Sequence, residues 1–275
     1  MRRAVAILVA GLTACLAQAA SAADMAPAYK APVVIPVYSW TGCYLGANVG
    51  SHFGSDKITT TTSVNNLAFP TPARAAFFDS LTPTTLHPQG YAYGLQGGCN
   101  LQLGSFVGGF EADADWLSGS FSRTMVVGVN PFFVPPGNYL IDSTKATFLS
   151  TARARVGVAV NRMLLYVTGG VAFGTVETTD TLGTFNGFGV SATSTTTKRT
   201  GWTAGGGIES ALTDNILLRA EYLYVDLGSF DAAIPCAFAF GCVDPADSVV
   251  HHKFTDQIIR AGISYKFGGP LYAKY

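Results

Sequence analysis

The acidic and basic residues that could do chemistry in this sequence recur at every second position. Glu111, Asp113 and Asp115 follow that spacing, and so do Arg153 and Arg155. Neighbouring carboxylates could work as general acid and base. The arginines favour structural pairing instead, because charges in a low-dielectric interior are tolerated when they are paired. The full set holds five acids and five bases: Glu111, Asp113, Asp115, Glu209, Glu221, Arg153, Arg155, Arg219, Arg260 and Lys266.

The four histidines do not form a recognisable catalytic or metal-binding motif. His52, His87 and the pair His251-His252 fall at the tops of predicted strands or in predicted loops. They are not accompanied by a Ser–His–Asp order, an HExxH motif or metal-ligand spacing. We therefore expect no catalytic residue, no cofactor and no bound metal.

The cysteines suggest disulfides in an oxidising compartment. Cys236 and Cys242 lie close together in one predicted loop, which predicts a loop-closing disulfide. Cys43 and Cys99 face the same way near the periplasmic ends of adjacent predicted strands, so the sequence also allows a cross-strand disulfide between them. Cys15 belongs to a rival interpretation, because Leu12 to Cys15 matches a lipobox that would make this cysteine a lipidated N-terminus.

The elements that must position the charges are β-strands. Along Phe106 to Trp116, apolar side chains alternate with the three carboxylates, and successive side chains of a strand point to opposite faces. Eight segments of this kind, each about ten residues long, match the length of tilted membrane-crossing strands. They are Cys43–Gly50, Tyr91–Leu103, Phe106–Trp116, Phe148–Val160, Met163–Thr175, Gly201–Leu212, Ile216–Tyr224 and Ile259–Phe267.

The composition and the connections predict an all-β, eight-stranded antiparallel transmembrane barrel. Only 12% of residues are charged, whereas soluble proteins have about 25%, which disfavours a soluble sandwich or lipocalin-like barrel. The formal net charge is zero, so nucleic-acid binding is not expected. Short turns are predicted at the periplasmic rim, at 104–105, 161–162 and 213–215. Four long extracellular loops are predicted at 54–89, 118–146, 176–199 and 228–255.

The two ends of the sequence predict export and set the limits of the predicted barrel. Residues 1–22 have the basic start, apolar stretch and small residues of a signal peptide, with cleavage between Ala22 and Ala23. Residues 23–39 contain three prolines, which predicts an extended periplasmic leader. The barrel is expected over 40–268, followed by a C-terminal extension over 269–275.

Three motifs resemble the small outer-membrane barrels of alphaproteobacteria, a family of surface antigens and rhizobial outer-membrane proteins with an OmpA-like barrel. They are Tyr38-Ser39-Trp40-Thr41-Gly42, the run from Ala220 to Gly228, and the run from Arg260 to Phe267. The resemblance implies an eight-stranded barrel in the outer membrane, with a role in envelope integrity or surface interaction and no defined reaction. The expected partners are outer-membrane lipid, lipopolysaccharide, the barrel-assembly machinery and a host or cell-surface molecule at the loops.

The balance of inward charges predicts how the barrel is filled. An eight-stranded interior is just wide enough for side chains to fill it. Five acids and five bases on its inner face therefore favour a salt-bridged plug in a monomeric barrel. A narrow porin for small solutes is the alternative, although selective pores usually present charges of one sign.

Overall fold

The computed structural model describes five stretches of the chain, and the chain divides into units 1–37 and 38–275. Several predictions fall outside the described residues: the signal peptide with cleavage between Ala22 and Ala23, nearly all of the leader, the lipidation of Cys15, the Cys236–Cys242 disulfide and the C-terminal extension. The described stretches are 38–62, 71–127, 138–184, 190–235 and 246–267.

The described part of the chain holds ten strands and one short helix. Within it, no helix is long and apolar enough to cross a membrane. In chain order the elements are β1 (Gly42–Thr62), α1 (Pro72–Leu81), β2 (Thr84–Leu86), β3 (Gln89–Leu103), β4 (Phe106–Leu117), β5 (Phe121–Val127), β6 (Asn138–Val160), β7 (Met163–Thr184), β8 (Val190–Ala211), β9 (Ile216–Pro235) and β10 (Ala246–Phe267).

Eight long antiparallel strands close into a ring. Each strand pairs with the next in the order β1, β3, β4, β6, β7, β8, β9 and β10, and β10 pairs back onto β1 from Cys43–Phe267 to Thr62–Ser248. The prediction of a transmembrane-type barrel is confirmed, but the described sheet has ten strands instead of eight. The two extra strands are short: β2 pairs with β1, and β5 pairs with β6.

The predicted tight turns join strands at one rim of the ring. Gly104 has φ +63° in the turn between β3 and β4, and Asn161 has φ 53° in the turn between β6 and β7. Glycine and asparagine are the residues that adopt this left-handed backbone most readily. The short connections therefore lie where the sequence predicts the periplasmic rim.

A belt of exposed apolar side chains surrounds the ring. Its members include Leu45 on β1, Phe110 on β4 and Val167 on β7, each more than half exposed. The belt covers about eleven residues of each strand and ends near Phe53 on β1 and Trp116 on β4. Its height matches the apolar band of about 25 Å on transmembrane barrels. We call this surface the apolar belt.

The strands continue well beyond the apolar belt, and here the prediction of four long loops was largely wrong. For example, β7 extends to Thr184 and β10 begins at Ala246, inside stretches that were predicted to be loops. Above Trp202, β8 pairs only with β7, and beyond Asp226, β9 pairs only with β10. The upper part is therefore two four-stranded sheets, β2–β1–β10–β9 and β5–β6–β7–β8.

Candidate functional site

The predicted lumen charges lie on the inner face of the ring, surrounded by the apolar belt. They are supplied by β4, β6, β8, β9 and β10, because the charged positions of each strand alternate with its outward apolar positions. Each of the acids and arginines of this network is at most 6% exposed. The network consists of Glu111, Asp113, Asp115, Arg153, Arg155, Glu209, Arg219, Glu221 and Arg260.

Two arginines hold the upper half of the network. Arg153 pairs with Glu111 at 2.5 Å, with Asp113 at 2.6 Å and with Glu221 at 3.1 Å. Arg260 pairs with the same Asp113 at 2.8 Å and Glu221 at 2.7 Å. It also donates to Asp115 at 2.5 Å. Shared carboxylates join the two guanidinium groups into one cluster.

The lower half combines two more arginines with buried tyrosines. Arg155 pairs with Glu209 at 2.5 Å, and Arg219 pairs with Glu111 at 2.5 Å. The Arg155 guanidinium lies 4.1 Å from the centre of the Tyr166 ring, a cation–π contact. The Tyr166 hydroxyl donates to Glu221 at 2.9 Å, so the tyrosines connect the two halves.

Lys266 lies apart from this network, at the periplasmic end of the lumen. Its ammonium donates to the carbonyl of Ser39 and lies 4.1 Å from the centre of the Tyr38 ring. The buried Trp40 follows, and its backbone N–H donates to Gln102 at 2.7 Å. The predicted set of five bases therefore contributes four arginines to the network, and the lysine instead anchors the segment that precedes β1.

A disulfide joins Cys43 and Cys99, the cross-strand pairing that the sequence allows. The two cysteines are register partners on β1 and β3, with Cα atoms 3.9 Å apart. Both face outward, on the side of the apolar belt. The disulfide therefore fastens neighbouring strands from outside the lumen.

Apolar and polar layers alternate along the lumen. On β9 the inward residues run from Arg219 and Glu221 in the network to Leu223, and then through Phe230 to Ile234. The first apolar layer above the network includes Leu149, Leu223 and Phe254, and the uppermost layer includes Leu140, Ile234 and Phe78 of α1. A third apolar layer lies below the network around Trp40, Tyr44 and Leu217.

A second polar cluster lies between the two upper apolar layers, and sequence reasoning missed it. It consists of Asp56, Asp142, Asp180 and His252, which fall inside stretches that were predicted to be loops. The signal that could have found them is the period-two pattern in the Thr-rich segments, such as Val176, Thr178 and Asp180 on one face of β7. His52 is also buried, and its Nδ1 lies 3.1 Å from Asp256.

The chemistry of these buried groups is ion pairing and hydrogen bonding. In the described ranges, no group of three or more His, Cys, Asp or Glu residues is arranged to hold a metal ion. The carboxylates of the network accept hydrogen bonds from guanidinium groups. Paired and hydrogen-bonded charges are the form in which a low-dielectric interior tolerates them.

The description of the matching family model is "outer membrane protein beta-barrel domain", and the match extends over residues 7–267. The chain belongs to this family. Members of this family lie in the outer membrane of Gram-negative bacteria, where an apolar belt faces lipid. The protein is therefore an outer-membrane barrel. The long strands, the ring closure and the outward apolar residues are the physical features of that family in this chain.

Relatives of this outer-membrane barrel occur in alphaproteobacteria. The 31 kDa outer-membrane immunogenic protein of Brucella melitensis is 32% identical, over 95% of this chain and 99% of the relative. The 25 kDa outer-membrane immunogenic protein of Brucella abortus is 30% identical, over 90% of both chains. The 22 kDa outer membrane protein of Rhizobium leguminosarum is 30% identical, over 74% of this chain and 72% of the relative.

The outer-membrane barrel also matches solved structures at low identity. The outer-membrane protease OmpT of Escherichia coli matches with a TM-score of 0.46 and 11% identity, over 84% of this chain and 99% of OmpT. A likeness of this size supports no statement about activity.

Proposed function

We propose that the protein is a closed, non-enzymatic outer-membrane barrel that has a structural role in the envelope and presents its upper sheets for surface interactions. The alternation of apolar and charged layers in the lumen carries this proposal. Above the paired charges, an ion would have to pass a layer that includes Leu149, Leu223 and Phe254, each at most 2% exposed. Apolar constrictions of this kind exclude water and ions.

Planar-bilayer recording on refolded protein tests the closed lumen. We expect no stepwise conductance above the baseline of the same detergent without protein, because three apolar layers and the paired arginines leave no hydrated path. A general porin that is refolded in parallel shows that the bilayer reports insertion. Reproducible conductance steps that scale with the amount of protein would contradict the proposal and favour the narrow porin.

We propose that the barrel has no catalytic role because a substrate cannot reach its buried acids and bases. A catalytic group must reach the substrate, within hydrogen-bond distance or through one water. The acids and bases that the barrel brings together are buried between apolar layers, and Asp113 and Glu221 each accept from two arginines. Display is the function that we propose for the upper sheets, and the name "outer-membrane immunogenic protein" of the Brucella relatives agrees with it.

The closed ring also agrees with a monomeric protein. We propose that the barrel-assembly machinery inserts this monomer into the membrane. Each of the eight long strands pairs on both sides within the apolar belt, so the ring presents no unpaired edge to lipid. A closed ring needs no second copy to satisfy its backbone hydrogen bonds. We therefore propose a monomer in the membrane.

Lipopolysaccharide is the lipid partner that the outer surface favours, through Lys57 and Lys253. These exposed lysines are direct register partners on β1 and β10, and their neighbours on the flanking strands are the uncharged Thr85 and Ser229. Like charges placed directly opposite each other are destabilising unless an anion lies between them. Lys57 is four residues above Phe53, about 10 Å beyond the apolar belt, where a lysine can reach the phosphates of the headgroup layer.

Titration of lipid A into the refolded protein tests this site. The double substitution K57Q/K253Q should weaken binding by about thirtyfold, because a basic residue near a lipid surface contributes about 1 kcal/mol. Lys145→Gln is the matched control, since Lys145 lies opposite Glu177 and its charge is already balanced. Equal affinities for the double variant and the wild-type protein would remove lipopolysaccharide phosphate as the ligand of this pair.

A further inference from the structure

The second polar cluster lies where the two upper sheets face each other. Asp56 and His252 come from β1 and β10 in one sheet, and Asp142 and Asp180 come from β6 and β7 in the other. All four side chains are at most 2% exposed. They lie beyond the apolar belt and between two apolar layers, so they belong to the extracellular part of the molecule.

The contacts of this cluster cross from one sheet to the other. His252 Nδ1 lies 2.8 Å from Asp56 Oδ2 within its own sheet, and His252 Nε2 lies 3.6 Å from Asp180 Oδ2 in the opposite sheet. The hydroxyl of Thr144 on β6 donates to Asp56 Oδ2 at 2.7 Å, which is a second bond across the gap. The ring of Phe230 stacks on the His252 imidazole with centroids 4.8 Å apart and fixes its orientation.

The charges of the cluster do not balance. Three carboxylates face one imidazole, and Asp142 lies directly opposite Asp180 in the pairing of β6 with β7. The further charged group that acts on Asp142 is Arg123 on β5, which is only partly buried. Because apolar layers lie above and below, water screens these charges little, and both attraction and repulsion are stronger than at the surface.

The surroundings change the proton affinity of two of these groups in the same direction. Burial, followed by the charge of Asp180, raises the pKa of Asp142 to about 6. Burial opposes the charged form of His252, but the nearby carboxylates of Asp180 and Asp56 outweigh it and raise the pKa of His252 to about 9. At neutral pH, His252 therefore holds its proton, and Asp142 is the group that gains one in mild acid.

We propose that Asp56, Asp142, Asp180 and His252 form a proton-operated clamp that holds the two extracellular sheets together and tightens in mildly acidic medium. A proton on Asp142 removes its repulsion with Asp180 and leaves Asp180 free to pair with His252. The pKa of Asp142 is higher in the closed state than in an open, solvated one, so closure gains as pH falls through about 6. The contribution of His252 is complete below its ordinary pKa and is lost as pH rises through about 9.

Hydrogen–deuterium exchange of the refolded full chain in detergent micelles tests the clamp. After correction for the intrinsic pH dependence of exchange, protection over 138–146 and 176–184 should be about fortyfold higher at pH 5.5 than at pH 7.5. By linkage, a pKa of about 6 for Asp142 gives about fourfold of this change, and a pKa of about 9 for His252 gives about tenfold. Asp142→Asn imitates the protonated acid, so only the tenfold change that His252 gives should remain between the two pH values. His252→Gln should lower protection at both pH values and leave only the fourfold change that Asp142 gives.

His251→Gln is the matched control, because His251 is next in sequence but pairs with the exposed Asp231 on the outer face. This variant should show the wild-type change between the two pH values. Equal protection of the wild-type protein at pH 5.5 and 7.5 would overturn the clamp, and this measurement needs no variant to fold. A fortyfold change that persists undiminished in Asp142→Asn would overturn the assignment of a proton to Asp142.

Discussion

Replacing Arg260 with methionine should destabilise the folded barrel by about 3–5 kcal/mol. Arg260 is buried and pairs with Asp113, Asp115 and Glu221. Methionine fills much of the same space but leaves these carboxylates with fewer partners in a low-dielectric interior, which is the costly way to break a buried ion pair. Equilibrium urea unfolding of refolded protein in lipid vesicles, followed by tryptophan fluorescence, measures the change.

Arg162→Met is the control for the loss of a guanidinium. Arg162 and Asp214 lie in two neighbouring exposed turns and pair at 2.7 Å, and their side chains are 49% and 80% accessible. Exposed pairs of this kind contribute about 0–1 kcal/mol, so this variant should unfold close to the wild-type midpoint. If Arg260→Met lowered the free energy of unfolding no more than Arg162→Met does, the lumen network would not be a stabilising element of the barrel.

Replacing Phe254 with alanine should lower the free energy of unfolding by a similar amount, about 3–5 kcal/mol, for a different reason. Phe254 is 1% exposed and belongs to the apolar layer that also contains Leu149 and Leu223. The substitution loses the burial of an aromatic ring and leaves a cavity between rigid strands that cannot collapse to fill it. The same urea titration measures the loss, with the slope of the transition as a check that the unfolded state is unchanged.

Phe77→Ala provides the comparison for this second variant. Phe77 lies on α1 and is 38% exposed, so removal of its ring creates no enclosed cavity. The change in stability should stay within about 0.5 kcal/mol. A Phe254→Ala variant as stable as Phe77→Ala would mean that the layer above the charge network is loosely packed and does not seal the lumen.

The membrane-spanning part of the fold could be predicted from the sequence because its pattern has one cause. Outward positions face lipid and must be apolar, whereas inward positions face the lumen and can be charged. From Phe106 to Trp116, all three carboxylates therefore fall on inward positions. The same alternation placed Arg153, Arg155 and Arg260 on the inner face. Which acid each arginine contacts could not be predicted, because this depends on the stagger of the strands around the ring.

The extracellular half could not be predicted because lipid does not impose a pattern there. Outward positions such as Thr179, Ser194 and Thr196 face water, so both faces of these strands are rich in polar residues and the segments resemble loops. Thr-rich stretches nevertheless have high strand propensity. Asp56, Asp142 and Asp180 were missed for this reason, although their inward positions follow the two-residue period of the strands.

The pairing of β1 with β10 has a consequence for the order of events in biogenesis. The ring closes between Cys43 and Phe267, so its last contacts join residues that are more than two hundred positions apart in the chain. Contacts of such high contact order form late and slowly. Until the final strand has docked, β1 and β10 each present an open edge, and such edges pair readily with other chains. The interval before closure is therefore the time when this protein most needs protection from aggregation.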